Sequence, residues 1–443
     1  MAVDKLVDSV QLNADLTSVA NAIRAKGGTS DSLAFPAGFV SAIGDIPTGG
    51  GSTVAERKDV NFIDYDGTIL FSYTAAEAQA LTDLPANPTH SGLTSQGWNW
   101  TLAQIKNQLI AAPGGPVWVG QMYVTDDGKT RLYCHFETGR LEPYLGIGVN
   151  GTVEVDWGDG SNTDTLTGTS LSTAQNTSHT YSNAGDYVIT LAVISGSFSF
   201  FGVSNGAHIL KKSVTSSGTP DRVYSNAVQH VEIGVNASID SHAFNSCYSL
   251  KSITIPDNVT SIKSNAFNYC YGLKSVVIPH NVTSIESNVF SYCGSLKSIT
   301  IPDNVAYIGN NAFNYCYNLK SVTIPDNVTN IGTYVFNYCH GLKSVAISDS
   351  VTSISDYMFR NCYSIASLVI PDNVTSIKSN AFNSCYGLGE LHFKSTTPPT
   401  VSNSNAFSNI PTDCKIYVPT GSLTAYTTAT NYPNSSTYTY IEE

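Results

Sequence analysis

Asn311 to Gly332 reads NAFNYCYNLKSVTIPDNVTNIG, and Asn265 to Pro279, NAFNYCYGLKSVVIP, repeats its opening almost unchanged. The phrase recurs at a fixed step. Phe244, Phe267, Phe290, Phe313, Phe336, Phe359 and Phe382 are 23 residues apart, and Cys247, Cys270, Cys293, Cys316, Cys339, Cys362 and Cys385 keep the same interval. The unit is A-F-x-x-C-x-x-L-x-x-I-x-I-P-x-x-V-x-x-I. From Leu250 through Ile253 and Ile255 the apolar spacing shifts to period two, which predicts a short strand with Ser252 and Thr254 outward. Pro256-Asp257-Asn258 supplies the turn that ends it. One unit cannot bury its apolar edge alone, whereas stacked units bury Phe, Cys, Leu, Ile and Val in continuous ladders, so residues 226–395 are expected to form a solenoid. An atypical leading unit, Val228, Val231, Ile233 and Ile239, is expected to cap one end, and residues 396–443, with Phe407 and Cys414 to Pro419, the other.

These residues resemble the BspA-type leucine-rich repeats found on bacterial and phage surfaces. The resemblance covers roughly residues 226 to 430 and implies adhesion or recognition, with no catalytic residues to transfer. Upstream, Val153 to Gly160 reads VEVDWGDG, followed by His179-Thr180-Tyr181 and by the alternating Tyr187, Ile189, Leu191 and Val193. This pairing is similar to PKD-type β-sandwiches, and residues 121–203 are expected to be such a spacer, joined by a connector at 204–225. Residues 57–120 are left as a small α+β adaptor. Residues 1–46 are expected to form a helical attachment or oligomerisation segment, since Leu16, Val19, Ala20 and Ile23 fall at helical spacing. A Gly-rich linker spans 47–56. The string LTSVANAIRAKGGTSDSLAFPAGFVSAIGDI resembles amino-terminal segments of bacteriophage tail-associated proteins. The fold class is therefore mainly β, a leucine-rich-repeat solenoid preceded by a PKD-like sandwich and a small helical segment.

Composition narrows the function. With 443 residues at 42% hydrophobic the chain can bury several cores, which excludes wholesale disorder. Only 13% is charged, so Ser, Thr, Asn, Gly and the 25 Tyr must carry the surface. A net charge of −12 lacks the basic footprint that nucleic-acid binding needs. No run of 18 apolar residues is present, so no membrane insertion is expected. The first residues lack the apolar core of a secretory signal. The repeat cysteines read as free thiols filling the core of a protein folded in a reducing compartment.

Phe62-Ile63-Asp64-Tyr65-Asp66-Gly67-Thr68 matches the first motif of haloacid-dehalogenase phosphatases, with one Asp as nucleophile and the next as acid/base. Gly158-Asp159-Gly160 with Asp164 almost supplies their metal-binding carboxylates. No alternating βαβ series accompanies them, and a turn between two strands explains DYDG equally well, so no enzymatic activity is expected. The Asp row at 257, 303, 326, 349 and 372 is interrupted by His280, and neither a metal nor any other cofactor is expected.

What varies between repeats is the candidate site. Fixed columns report the fold, while the residues around each Cys, and a pair before each Phe, differ from unit to unit. Their alphabet of Tyr, Asn, Ser, Gly and His is that of a paratope. The ligand-binding candidates are Tyr248, Tyr269, Tyr271, Tyr292, Asn314, Tyr315, Tyr317, Tyr334, Tyr338, His340, Tyr357 and Tyr363. These residue types are reachable from one Asn codon by changing adenines alone, a pattern that resembles targets of diversity-generating retroelements. A basic column, Lys251, Lys274, Lys297, Lys320 and Lys343, runs alongside. The leading expectation is a non-enzymatic phage tail-fibre or receptor-binding protein in the virion, folded in the host cytoplasm. It would grip a bacterial surface glycan or surface protein, and bind other tail proteins through its amino-terminal segment, as a homo-oligomer such as a trimer. The alternative is a BspA-like adhesin at the bacterial cell surface.

Overall fold

The computed structural model describes residues 59–443, apart from 64–68, 90–92, 99–101, 112–116, 126, 201–208, 212–221 and 235. The amino-terminal segment, the Gly-rich linker, the DYDG turn and most of the 204–225 connector lie outside the described residues.

The first described elements are β1 (Val60–Ile63), β2 (Ile69–Tyr73), α1 (Ala75–Ala80), β3 (Leu93–Trp98), α2 (Leu102–Ala111) and β4 (Val117–Thr125). They make a small sheet in the order β2-β1-β4-β3, in which β1 pairs antiparallel with β2 and parallel with β4. Thr74 caps α1 by accepting from the Glu77 amide while the Glu77 carboxylate accepts from the Thr74 amide, so two otherwise orphaned donors are satisfied. Phe62 is fully buried and meets Trp98 edge to face at 4.9 Å. The adaptor expected to end at residue 120 runs to 125, because β4 continues through that point to pair with β3. The antiparallel β1–β2 pairing flanks residues 64–68 with hairpin strands and not with the βαβ crossover that a phosphatase needs.

Four further strands follow: β5 (Thr130–Phe136), β6 (Tyr144–Asp156), β7 (Asp164–Ser178) and β8 (Gly185–Phe200). The W-G-D-G and H-T-Y motifs meet in space. Trp157 stacks on His179 at 5.3 Å and donates to Asp164, His179 bonds Asp159, and the Tyr181 hydroxyl donates to the Trp157 carbonyl. The carboxylates that a phosphatase reading would reserve for a metal are thus taken up by the motif itself.

The strands do not form a freestanding two-sheet spacer. They pair in one antiparallel order, β5-β8-β6-β7, whose long members bend. The bend falls where Gly151 of β6 faces Gly196 of β8, both at positive φ, with a register shift beside it at Thr152/Val153. Below the bend, β8 pairs with β5 through residues 185–191; above it, residues 198–200 pair with β11 (Ala237–Ile239). Between these, β9 (Leu210–Lys211) adds to β6, and β10 (Val228–Glu232) pairs antiparallel with β5.

The two solenoid sheets start from those two junctions. β10 is followed in parallel by β12 (Ser252–Thr254) and then by residues 275–276, while Ile239 bridges to Ile262 and Ile262 to Ile285. The leading unit is therefore seeded by β5 and β8 and is not an exposed cap. One hydrophobic core runs from Leu132 to Tyr426 without interruption. At the far end Phe407 stacks on Phe382, and residues 415–418 and 439–442 extend one sheet in parallel. No helix among the described residues is long and apolar enough to cross a membrane.

Inside the coils the phenylalanines stack face to face, with centroids 5.4 Å apart for Phe244–Phe267 and 5.8 Å for Phe359–Phe382. All nine cysteines are buried and free. In the turns, Asn281 donates to the carbonyl of Asp257 and Asn327 to that of Asp303, one coil back. The repeated N-V-T phrase is therefore a side-chain ladder that satisfies turn carbonyls.

Candidate functional site

Each coil turns twice through left-handed backbone, and both turns fall in the columns that vary. One set of positive-φ residues is Ser246, Tyr269, Tyr292, Tyr315, Tyr338, Asn361 and Ser384, just before each Cys. The other is His242, Asn265, Asn288, Asn311, Tyr334, Tyr357 and Asn380. Asn is enriched there because its short polar side chain tolerates this conformation. Part of the recognition-like alphabet therefore has a backbone cause, which pattern reading alone did not separate from a binding cause.

Tyrosine has no such excuse. A bulky residue in the left-handed region is held there at a cost of about 1–3 kcal/mol. Yet four successive coils carry one. Tyr269, Tyr292, Tyr315 and Tyr338 form a stack with centroids 4.4, 4.4 and 4.5 Å apart and planes within 15°. Stacking returns about 0.5–1.5 kcal/mol per pair. Burial pushes the Tyr292 phenol up, and Tyr269 and Tyr315 on either side add to the effect.

A second, outer row stands beside the stack, two residues further along each coil. Tyr248 and Tyr271 lie 5.3 Å apart; Gly294 follows, and the Tyr317 ring lies over it. The row then continues Tyr317, His340, Tyr363 and Tyr386 at 5.2, 4.3 and 5.3 Å. Inner and outer rings meet edge to face, as in Tyr269–Tyr271 at 5.9 Å and Tyr315–Tyr317 at 5.7 Å. The inner stack therefore props the outer rings upright. Exposure of Tyr271, Tyr317, Tyr363 and Tyr386 is 41, 38, 37 and 58%, which makes this row the face that meets solvent. His340, sandwiched between Tyr317 and Tyr363, has its basicity lowered by burial.

Tyr334 and Tyr357 stack at 4.3 Å in the other left-handed column. The Arg360 guanidinium lies 5.7 Å from the Tyr338 ring and 5.5 Å from the Tyr357 ring, joining that pair to the end of the inner stack. Eleven of the twelve sequence candidates fall in these groups. Asn314 does not: it is buried, donating to Asn311 and accepting from Asn337, so its side chain holds the coil together. Tyr386 and Arg360 belong to the aromatic surface and were absent from the candidates. Tyr386 continues the 23-residue column from Tyr363, so the repeat itself carried that signal.

The arrangement offers flat, half-exposed rings along one edge, set on a rigid scaffold, and no juxtaposed nucleophile and base.

No curated protein matches the chain. Among solved structures, a leucine-rich repeat protein from Bacteroides ovatus shares 23% identity over 51% of this chain and 68% of its own, with a TM-score of 0.34. The T. pallidum leucine rich repeat protein shares 26% over 43% and 83%, also at 0.34. A leucine rich cell surface protein from Faecalibacterium prausnitzii shares 23% over 52% and 93%, at 0.23. The BspA type leucine rich repeat region matches in six copies, over residues 237–366 and 308–437. Those residues, 237–437, form the solenoid whose ladders are described above, and it is this part of the chain that matches the BspA type leucine rich repeat region.

Proposed function

We propose that the chain is a non-enzymatic recognition protein that acts at a bacterial cell surface as an adhesin, holding its ligand against the outer aromatic row of the solenoid. The observation that carries this reading is the run of tyrosines in left-handed positions, Tyr269 to Tyr338, where Ser246, Asn361 and Ser384 show that small polar residues serve the backbone. Keeping large rings there is explained by what they support, the exposed row from Tyr271 to Tyr386. Tyr supplies large contact area at low entropic cost, and such anchors dominate interface energetics. The repeat family supports a surface role.

Replacing Tyr271, Tyr317, Tyr363 and Tyr386 together by Ser tests it, with the labelled protein scored on intact bacterial cells and on cultured epithelial cells. All four side chains are exposed, so the far-ultraviolet circular dichroism should stay that of the parent. Attachment to the cell type that the parent binds should fall at least tenfold. Equal attachment by parent and variant would overturn the reading.

A second reading, a phage receptor-binding protein, is favoured by the resemblance of residues 16–46 to tail-associated segments. Immunogold labelling separates the two: gold on the bacterial envelope supports the adhesin, and gold on tail tips of released particles supports the virion protein.

A further inference from the structure

Three residues past the outer aromatic row each coil presents a lysine. Lys251, Lys274, Lys297, Lys320 and Lys343 are exposed and succeed one another through backbone hydrogen bonds, each amide donating to the carbonyl of the previous lysine at 2.8 to 3.4 Å. The spacing is therefore that of a parallel sheet, about 4.8 Å. No ion pair among the described residues involves this row, and Lys251 donates to the neutral Gln229. The accumulation of like charge is felt within it: burial and then the neighbouring Lys343 and Lys297 make Lys320 less basic. Such a column on a chain of net charge −12 is an electrostatic feature without an internal partner.

Between rings and ammonium groups runs the position held by Ser249, Gly272, Ser295, Asn318 and Gly341, mostly small residues. Gly272 and Gly341 donate from their amides to the carbonyls of Tyr248 and Tyr317, both at 2.9 Å. A side chain at Gly341 would begin 2.8 Å from the Tyr317 carbonyl oxygen and 2.9 Å from the Lys320 Nζ. This strip thus has the aromatic row on one side and the lysine row on the other, repeated coil by coil.

Resting on the proposed recognition role, we infer that the ligand is a linear acidic polysaccharide lying along these two rows, its pyranose faces against the outer tyrosines and its carboxylates beside the lysines. The two rows specify this chemistry together. Flat apolar ring faces suit the CH-bearing faces of sugars, and repeated ammonium groups suit repeated carboxylates. The rise of a sugar in an extended chain is close to the coil spacing, so successive sugars meet equivalent groups. A neutral glycan would leave the lysines unused, and a flexible polyphosphate without rings would leave the tyrosines unused.

Polygalacturonate oligomers of defined length are the probe, and the same oligomers fully methyl-esterified are the uncharged control, with binding measured by calorimetry on the full chain. In low salt the acid form should bind at least about tenfold more tightly than the ester. That preference should shrink in 1 M salt, where the screening length falls to about 3 Å. Affinity should rise with oligomer length until the two rows are spanned. The triple variant Lys274→Gln, Lys297→Gln, Lys320→Gln should bind the acid no better than the ester and bind the ester as the parent does. Equal binding of acid and ester by the parent, an unchanged preference in the triple variant, or no binding of either polymer would overturn the inference. Cell attachment that depends on the outer tyrosines while the lysine variant attaches normally would sink this ligand assignment and leave the recognition role standing.

Discussion

The Sγ of Cys316 donates to the carbonyl oxygen of Phe290, 3.2 Å away and one coil back. The same bond recurs from Cys270 to Phe244 and from Cys385 to Phe359, both at 3.1 Å. Cysteine thus does more than fill space: it brings a second, weak donor to a main-chain carbonyl that already accepts from the Cys amide of its own coil, as Phe290 does from Cys293 at 3.2 Å. Cys316→Ala should cost about 1–3 kcal/mol, mostly from the void, since the Phe290 carbonyl keeps the Cys293 amide and loses only its second donor. Cys316→Val, which fills the void but cannot donate, should recover most but not all of that loss. Urea denaturation of the two variants measures the split, and full recovery by Val would reduce the thiol to filler. Burial pushes the Cys316 thiol up, so the native protein should resist a thiol reagent at pH 8 and release nine reactive thiols only on unfolding.

The motif carboxylate at Asp159 makes a pH-dependent contribution. Hydrogen bonds from Ser161, and then the bond to His179, hold its carboxyl at about 2, below the ordinary 3.8. A carboxyl whose folded value is depressed binds protons less readily than in the unfolded chain. Its stabilisation is therefore complete above about pH 4 and is lost as pH falls toward 2. Melting temperature measured between pH 5 and 2 should fall less steeply for Asp159→Asn than for the parent, with the difference confined to that window. Parallel curves would remove Asp159 from the account.

Gly151 and Gly196 should be the least replaceable residues of the bent sheet. A Cβ on Gly196 would sit 1.9 Å from the Asn150 carbonyl oxygen, and one on Gly151 2.1 Å from that of Ser195. Both neighbours are backbone and cannot step aside, and both glycines have positive φ. Gly196→Ala should cost more than about 3 kcal/mol, at the upper end for single substitutions. Because β8 pairs with β11, where one solenoid sheet starts, and with β5, from which the other starts, the loss should appear as a lower melting temperature for the whole described unit. A separate early transition confined to a small part of the signal would show that the sheet and the solenoid unfold independently.

The solenoid was legible because its information is one-dimensional. Each coil touches only its neighbours, so a fixed step between Phe244 and Phe267 already implies the stack that the structure contains. The bent sheet was less legible for the opposite reason. The W-G-D-G and H-T-Y motifs announce their local network, but the pairing of β8 with β5 and β11 joins residues far apart in the chain and leaves no periodic trace. At the candidate site, column reading found the tyrosines and missed the backbone. It could not tell Asn314, turned inward toward Asn337, from Tyr315 beside it, since both positions vary between repeats. A positive φ was the missing datum.

That datum also separates stability from recognition in the inner stack. Tyr292 and Tyr315 sit at φ of 62° and 60°, a conformation that Asn adopts far more readily than Tyr. Replacing both by Asn removes ring contacts worth about 0.5–1.5 kcal/mol per pair, and relieves strain of about 1–3 kcal/mol per residue. The two terms oppose, so the double variant Tyr292→Asn, Tyr315→Asn should unfold within about 1 kcal/mol of the parent. Recognition should not be spared. The outer Tyr271 and Tyr317 lean edge-on against Tyr292 and Tyr315, at 6.3 and 5.7 Å, and lose their support when those rings go. Cell attachment should therefore weaken several-fold although every outer tyrosine remains. Unchanged attachment would mean that the inner stack props nothing, and a loss of several kcal/mol would mean that the tyrosines serve the fold.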